Sequence, residues 1–110
     1  MNIPQRESHI LIVDDDSFAL KVHAHMVEGM GWTNVVCFES ASEALDFIDS
    51  KPKSPDLILL DVNMPKMDGI EFVRRLVERN FGGAIVLISG ESGRLVQSIV
   101  TLGREHGLTI

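Results

Sequence analysis

Cysteine occurs once in the 110 residues, as Cys37. The chain can therefore close no internal disulfide and build no cysteine-based metal site alone, which fits a reducing, cytoplasmic setting. Basic residues are scarce: 10 lysines and arginines stand against 16 acidic residues, for a net charge of −6. A phosphate backbone or an anionic membrane surface is repelled by that balance, so this segment is not expected to bind nucleic acid. No apolar run approaches the roughly 18 residues that a membrane span needs, and the opening stretch to His9 is polar, so neither insertion nor secretion is indicated. Internal repeats, low-complexity tracts and Ser/Gly linkers are lacking too. What remains is 45% hydrophobic and 24% charged, the composition of one globular domain with room for one core.

Short apolar runs alternate with longer periodic ones. Residues 10–13 read as a strand, and Ala19, Val22, Met26 and Met30 recur with helical spacing over residues 17–30. Asp16 is the expected cap of that helix, with Ser17 as the alternative. Residues 35–39 read as a second strand. A capping box then opens a helix over residues 41–50, where Ser40 and Glu43 can satisfy each other's backbone N–H groups. Residues 56–61 are apolar on both faces, as a central strand covered by helices on both sides must be. A third helix starts at Asp68, residues 84–89 form a fourth strand, and residues 91–106 form a fourth helix with an apolar stripe of Leu95, Val96, Ile99, Val100 and Leu102. Strands alternating with helices specify a parallel sheet. Gly107 caps the last helix, and Leu108, Thr109 and Ile110 read as the start of another strand. A fifth strand and its helix are expected to be missing, which would leave residues 84–89 as an unpaired edge open to self-association through strand four or by exchange of termini.

In an open parallel sheet, ligands bind beyond the carboxyl ends of the strands. Those ends hold Asp14, Asp15 and Asp16 after the first strand, Asp61 and then Asn63 after the third, and Ser89 and Glu91 after the fourth. Carboxylates converging at one edge repel each other, a cost that a divalent cation among them removes. All-oxygen ligands favour a hard ion, and Mg2+ accepts one or two carboxylates together with phosphate oxygens. Other polar residues carry less. His23 and His25 are two apart and read as surface residues, Cys37 as a small buried residue, Trp32 as packing, and Arg74, Arg75 and Arg79 as the solvated face of the third helix, with Glu71 and Arg75 paired.

Three segments carry a family resemblance. Ile12-Val13-Asp14-Asp15-Asp16-Ser17, Leu60-Asp61-Val62-Asn63-Met64-Pro65-Lys66-Met67-Asp68-Gly69 and Val86-Leu87-Ile88-Ser89-Gly90 resemble the receiver domain of two-component response regulators, from about residue 8 to the end. The resemblance implies a doubly wound, flavodoxin-like α/β fold with strand order 2-1-3-4-5, and a receiver domain over residues 1–110 that is incomplete at its C-terminus. It implies a signalling switch that takes a phosphoryl group on Asp61 from a histidine kinase or phosphotransfer protein and catalyses at most its own phosphorylation and dephosphorylation. Asp15 becomes a direct Mg2+ ligand, Asp14 a ligand largely through water, and the backbone carbonyl of Asn63 a further ligand. Ser89 becomes the hydroxyl that bonds the phosphoryl group, and Asn63 and Glu91 modulate attack of water on it. An output domain belongs to the intact chain.

The family also places a phosphoryl-binding lysine at the end of the fifth strand. Lys21, Lys51, Lys53 and Lys66 do not match that position. That departure permits an alternative, a degenerate receiver acting as a phosphorylation-independent interaction module, which the complete aspartate set argues against. A phosphatase of the haloacid-dehalogenase type requires a second aspartate two residues after the first, where this sequence has Asn63.

Overall fold

The computed structural model describes residues 9–50, 55–61, 69–88 and 93–110. Along the chain they form β1 (His9–Val13), α1 (Ser17–Gly29), β2 (Asn34–Phe38), α2 (Ala41–Ser50), β3 (Leu57–Asp61), α3 (Gly69–Glu78), β4 (Ala84–Ile88) and α4 (Gly93–Glu105). The strands pair in the order β2-β1-β3-β4, all parallel. This is the doubly wound order that the family resemblance implies, and the element ends expected on described residues lie within two residues of expectation. The start of α3 expected at Asp68 lies outside the described residues.

Local chemistry accounts for the helix ends. The Asp16 carboxylate accepts from the backbone N–H of Phe18 at 2.9 Å and of Ala19 at 3.3 Å, so Asp16 and not Ser17 caps α1. Ser40 Oγ accepts from the N–H of Glu43 ahead of α2. Past α4, Gly107 takes φ +87°, a conformation that costs glycine little, while Leu108 N–H bonds back to the carbonyl of Gly103 at 2.9 Å.

The two faces of the sheet are covered unequally. On one, Leu11, Val13, Ile58, Leu60 and Ile85 meet Ala44, Leu45 and Ile48 of α2, Phe72, Val73 and Leu76 of α3, and Ile99 of α4. On the other, Ile10 and Ile12 pack against Leu20, with Ala24, Val27, Trp32, Leu57 and Leu59 around them. Alternate residues of a strand point to opposite faces, so β1 and β3 supply both layers. Of the α4 stripe, Ile99 is fully buried, whereas Val96, Val100 and Leu102 are half-buried.

Several expectations need correction. The edge of β4 is not bare at its start: the chain after α4 returns along it, where Thr109 bridges Ala84 and Ile85 N–H donates to the Thr109 carbonyl at 2.9 Å. Leu108 is drawn into the larger core. Beyond that bridge Val86 remains 47% exposed, on the face where only α1 lies. Cys37 is exposed because β2 is an edge strand that α1 covers only partly, leaving a groove between Leu20, Ala24, Cys37 and Phe38. His23 is half-buried with Nδ1 shut off from solvent and without a hydrogen-bond partner, while His25 is exposed. Arg79 does not simply face solvent: its guanidinium grips Asp49 of α2 through two bonds of 2.7 and 2.9 Å. The predicted Glu71 and Arg75 pair is present at 2.7 Å.

Candidate functional site

The site grows out of the register of the central strands. Val13 of β1 stands beside Leu60 of β3, so one step further along both strands brings Asp14 next to Asp61 at the carboxyl edge. Asp14 is held there by its own N–H, which donates to the Phe38 carbonyl at 3.1 Å. The turn into α1 is fixed by the Asp14 carboxylate, which accepts from the Asp16 N–H at 2.9 Å. Asp15, between them, is exposed. Asp14, Asp15 and Asp61 each bring a carboxylate oxygen into one cluster whose atoms all lie within 4.8 Å of one another. Asn63, Ser89 and Glu91 lie outside the described residues.

Electrostatics strains this cluster. Asp14 is only 5% exposed. Burial pushes its carboxyl above the usual carboxylate range, the hydrogen bond from Asp16 pulls it back, and the charge of Asp61, a hydrogen bond shared with Asp61 and the charge of Asp15 push it up again. A buried carboxylate beside two others is relieved either by a proton or by a cation. Three carboxylates with no nitrogen or sulfur donor among them fit a hard divalent ion such as Mg2+. The groups present therefore fit Mg2+.

A doubly wound parallel α/β sheet with three carboxylates gathered at its carboxyl edge defines the class of protein. Within that class, the chain belongs to the response regulator receiver domain family, which it matches over residues 10–107. Receiver domains bind Mg2+ in an acidic pocket and serve two-component signalling. The chain is 38% identical over 85 residues to the response regulator protein TmoT of Ectopseudomonas mendocina, covering 77% of this chain and 37% of that protein. It is 32% identical over 104 residues to the chemotaxis protein CheY of Treponema pallidum, covering 88% of this chain and 68% of that one. A response regulator from Colwellia psychrerythraea has a similar structure, with a TM-score of 0.78, 33% identity and coverage of 94% of this chain and 79% of that chain. The chain thus spans well under half the length of TmoT. Among the described residues, no helix is long and apolar enough to cross a membrane.

Proposed function

We propose that the chain is a phosphoryl-accepting switch, in which Asp61 takes a phosphoryl group from a phosphohistidine of a histidine kinase or phosphotransfer protein. One observation carries this reading: the carboxylates of Asp14, Asp15 and Asp61 meet within 4.8 Å at the end of the sheet where ligands of parallel α/β proteins bind. In the transfer an oxygen of Asp61 attacks phosphorus. The phosphorus–nitrogen bond of the donor breaks, its electron pair leaves with the imidazole, and a mixed anhydride remains on Asp61. Such a step depends on positioning and charge neutralisation more than on proton transfer.

Asp15 directly, Asp14 largely through water, and Asp61 with the backbone carbonyl of Asn63 would hold Mg2+. The ion supplies neutralisation of negative charge on the phosphoryl oxygens. The buried Asp14 keeps the turn into α1 in place through Asp16 and so fixes where Asp15 stands. The roles of Ser89 in bonding the phosphoryl group, and of Asn63 and Glu91 in governing attack of water, rest on the family resemblance alone. An output domain as the recipient of the signal has the same basis.

Beryllofluoride, a stable mimic of a phosphoryl group, tests the reading. Titrated in the presence of Mg2+ and followed by NMR, it is expected to shift resonances around β1 and β3 in the unaltered protein and to leave Asp61→Asn unchanged. An unaltered protein indifferent to the mimic would instead be an interaction module that works without phosphorylation.

A further inference from the structure

Asp14 is held in the acidic cluster by a bond to a neighbouring strand. Its N–H donates to the Phe38 carbonyl at 3.1 Å, one step beyond Val13 and Phe38, the last paired residues of β1 and β2. Its carboxylate in turn accepts from the Asp16 N–H and shapes the turn that carries Asp15. The carboxyl end of β2 is thus one support of the cluster. The sheet alone holds that end weakly, because β2 is an edge strand, hydrogen-bonded to β1 on one side only. Local opening starts where such cross-bonding is thinnest.

A pair of rings supplies what the sheet does not. The Phe38 side chain packs on the α2 side of the sheet, the side that Val36 also faces. There it meets Phe47 of α2, with ring centroids 5.3 Å apart and planes tilted by 51°, within the range where aromatic rings attract beyond the area they bury. Phe47 is itself fixed from the far side. Its neighbour Ile48 is buried in the larger core, and Asp49, two residues on, is gripped by the Arg79 guanidinium at 2.7 and 2.9 Å. Arg79 is anchored in turn to the Arg75 carbonyl of α3 at 3.0 Å. The ring of Phe47 therefore stands on a helix tied to α3, and the end of β2 rests against it.

We propose that Phe47 is a positioning residue of the acidic cluster: by holding the Phe38 ring it keeps the Phe38 carbonyl on the Asp14 N–H, and with it Asp14 and Asp15 in the arrangement that takes Mg2+. Phe47 acts through Phe38 and not on the ion. The proposal rests on the reading of Asp14, Asp15 and Asp61 as a Mg2+ site. It is separable from ordinary packing, because loss of stability alone leaves the dissociation constant of a chain that remains folded where it was.

Mg2+ titration of the whole chain, together with amide hydrogen exchange in the absence of metal, tests the proposal. Phe47→Leu keeps apolar bulk and suits a helix but removes the ring. It is expected to raise the Mg2+ dissociation constant about tenfold, the low end of what loss of an outer support costs a metal site. Exchange of the Asp14 amide should quicken relative to the interior amides of β1. Phe38→Leu should act alike, and the double variant should be no worse than either single one, because the two rings form one contact. Val77→Ala, which loosens the same core from α3, should lower the thermal midpoint and leave both readouts unchanged. The proposal is overturned by a Phe47→Leu chain whose Mg2+ affinity or Asp14 exchange matches the original, by equal changes in Val77→Ala, or by single effects that multiply in the double variant. An unaltered chain that takes up no Mg2+ would sink the metal reading itself, and the proposal with it.

Discussion

Replacing Asp14 by asparagine removes the most deeply placed charge of the acidic cluster while keeping its shape and the oxygen that accepts the Asp16 N–H. Two unit charges 4.8 Å apart repel by about 0.9 kcal/mol at the dielectric constant of water, and by about 3.5 kcal/mol at an effective value near 20. Asp15 is exposed and sits near the first limit; Asp61 is half-buried and lies between the two. Since burial itself also disfavours the Asp14 anion, Asp14→Asn is expected to stabilise the metal-free protein at pH 7 by about 1 to 2 kcal/mol. In urea, with a denaturant dependence of about 1.5 kcal/mol per molar for a chain of this size, the midpoint should rise by about 1 M. The carboxyl of Asp14 is raised in the folded state, so folding takes up a proton as pH falls. The destabilisation by Asp14 is fully present above its folded pKa and fades as pH drops toward the ordinary value of 3.8. The gap between variant and unaltered protein should therefore close on acidification. Mg2+ at ten times its dissociation constant stabilises the unaltered protein by about 1.4 kcal/mol, and Asp14→Asn should lose most of that gain. An Asp14→Asn protein that is less stable than the original without metal, or that gains as much from Mg2+, would refute the electrostatic reasoning.

Three further outcomes follow from the packing. Asp16→Ala deprives Phe18 and Ala19 N–H groups of their acceptor and should cost about 1 kcal/mol in urea unfolding, with Asp16→Ser restoring most of it. Gly83→Ala should destabilise by about 1 to 3 kcal/mol, because a Cβ there would stand 2.7 and 2.8 Å from the backbone carbonyl oxygens of Pro55 and Asp56, which have no room to yield; a thermal midpoint unchanged by this substitution would contradict the account of the turn into β4. Asp49 is held below the ordinary carboxylate range by its hydrogen bonds to Arg79. Its pair with Arg79 should add stability at neutral pH that is lost as pH falls below 3.8 and through the depressed pKa, so Asp49→Asn and the original should converge in acid.

What could be read from the sequence was what periodicity and turn chemistry encode locally. Leu57, Ile58, Leu59 and Leu60, just ahead of Asp61, are all apolar, the pattern of a strand covered on both faces in a parallel sheet. The carboxyl-edge rule then puts Asp14, Asp15 and Asp61 together without reference to distance, and the three oxygens within 4.8 Å agree with that. Periodicity failed where two solutions were equally periodic. The row through Val22, Met26 and Met30 is as regular as the one through Leu20, Ala24 and Val27, and only the position of the sheet decides which is inside. Cys37 was misread because burial of an edge-strand residue depends on how far a neighbouring helix reaches. The grip of Arg79 on Asp49 joins residues 30 positions apart, so no local pattern announces it, and the return of Thr109 to Ala84 is non-local in the same way.

The central claim is that Asp61 accepts a phosphoryl group with the help of Mg2+, and intact-mass spectrometry after incubation with a small phosphoryl donor such as acetyl phosphate tests it most directly. The account predicts a gain of one phosphoryl group that requires Mg2+, is released by hydroxylamine as an acyl phosphate must be, and disappears in Asp61→Asn. A chain that gains no mass, or one that is modified equally in Asp61→Asn or after Mg2+ is chelated, would contradict it.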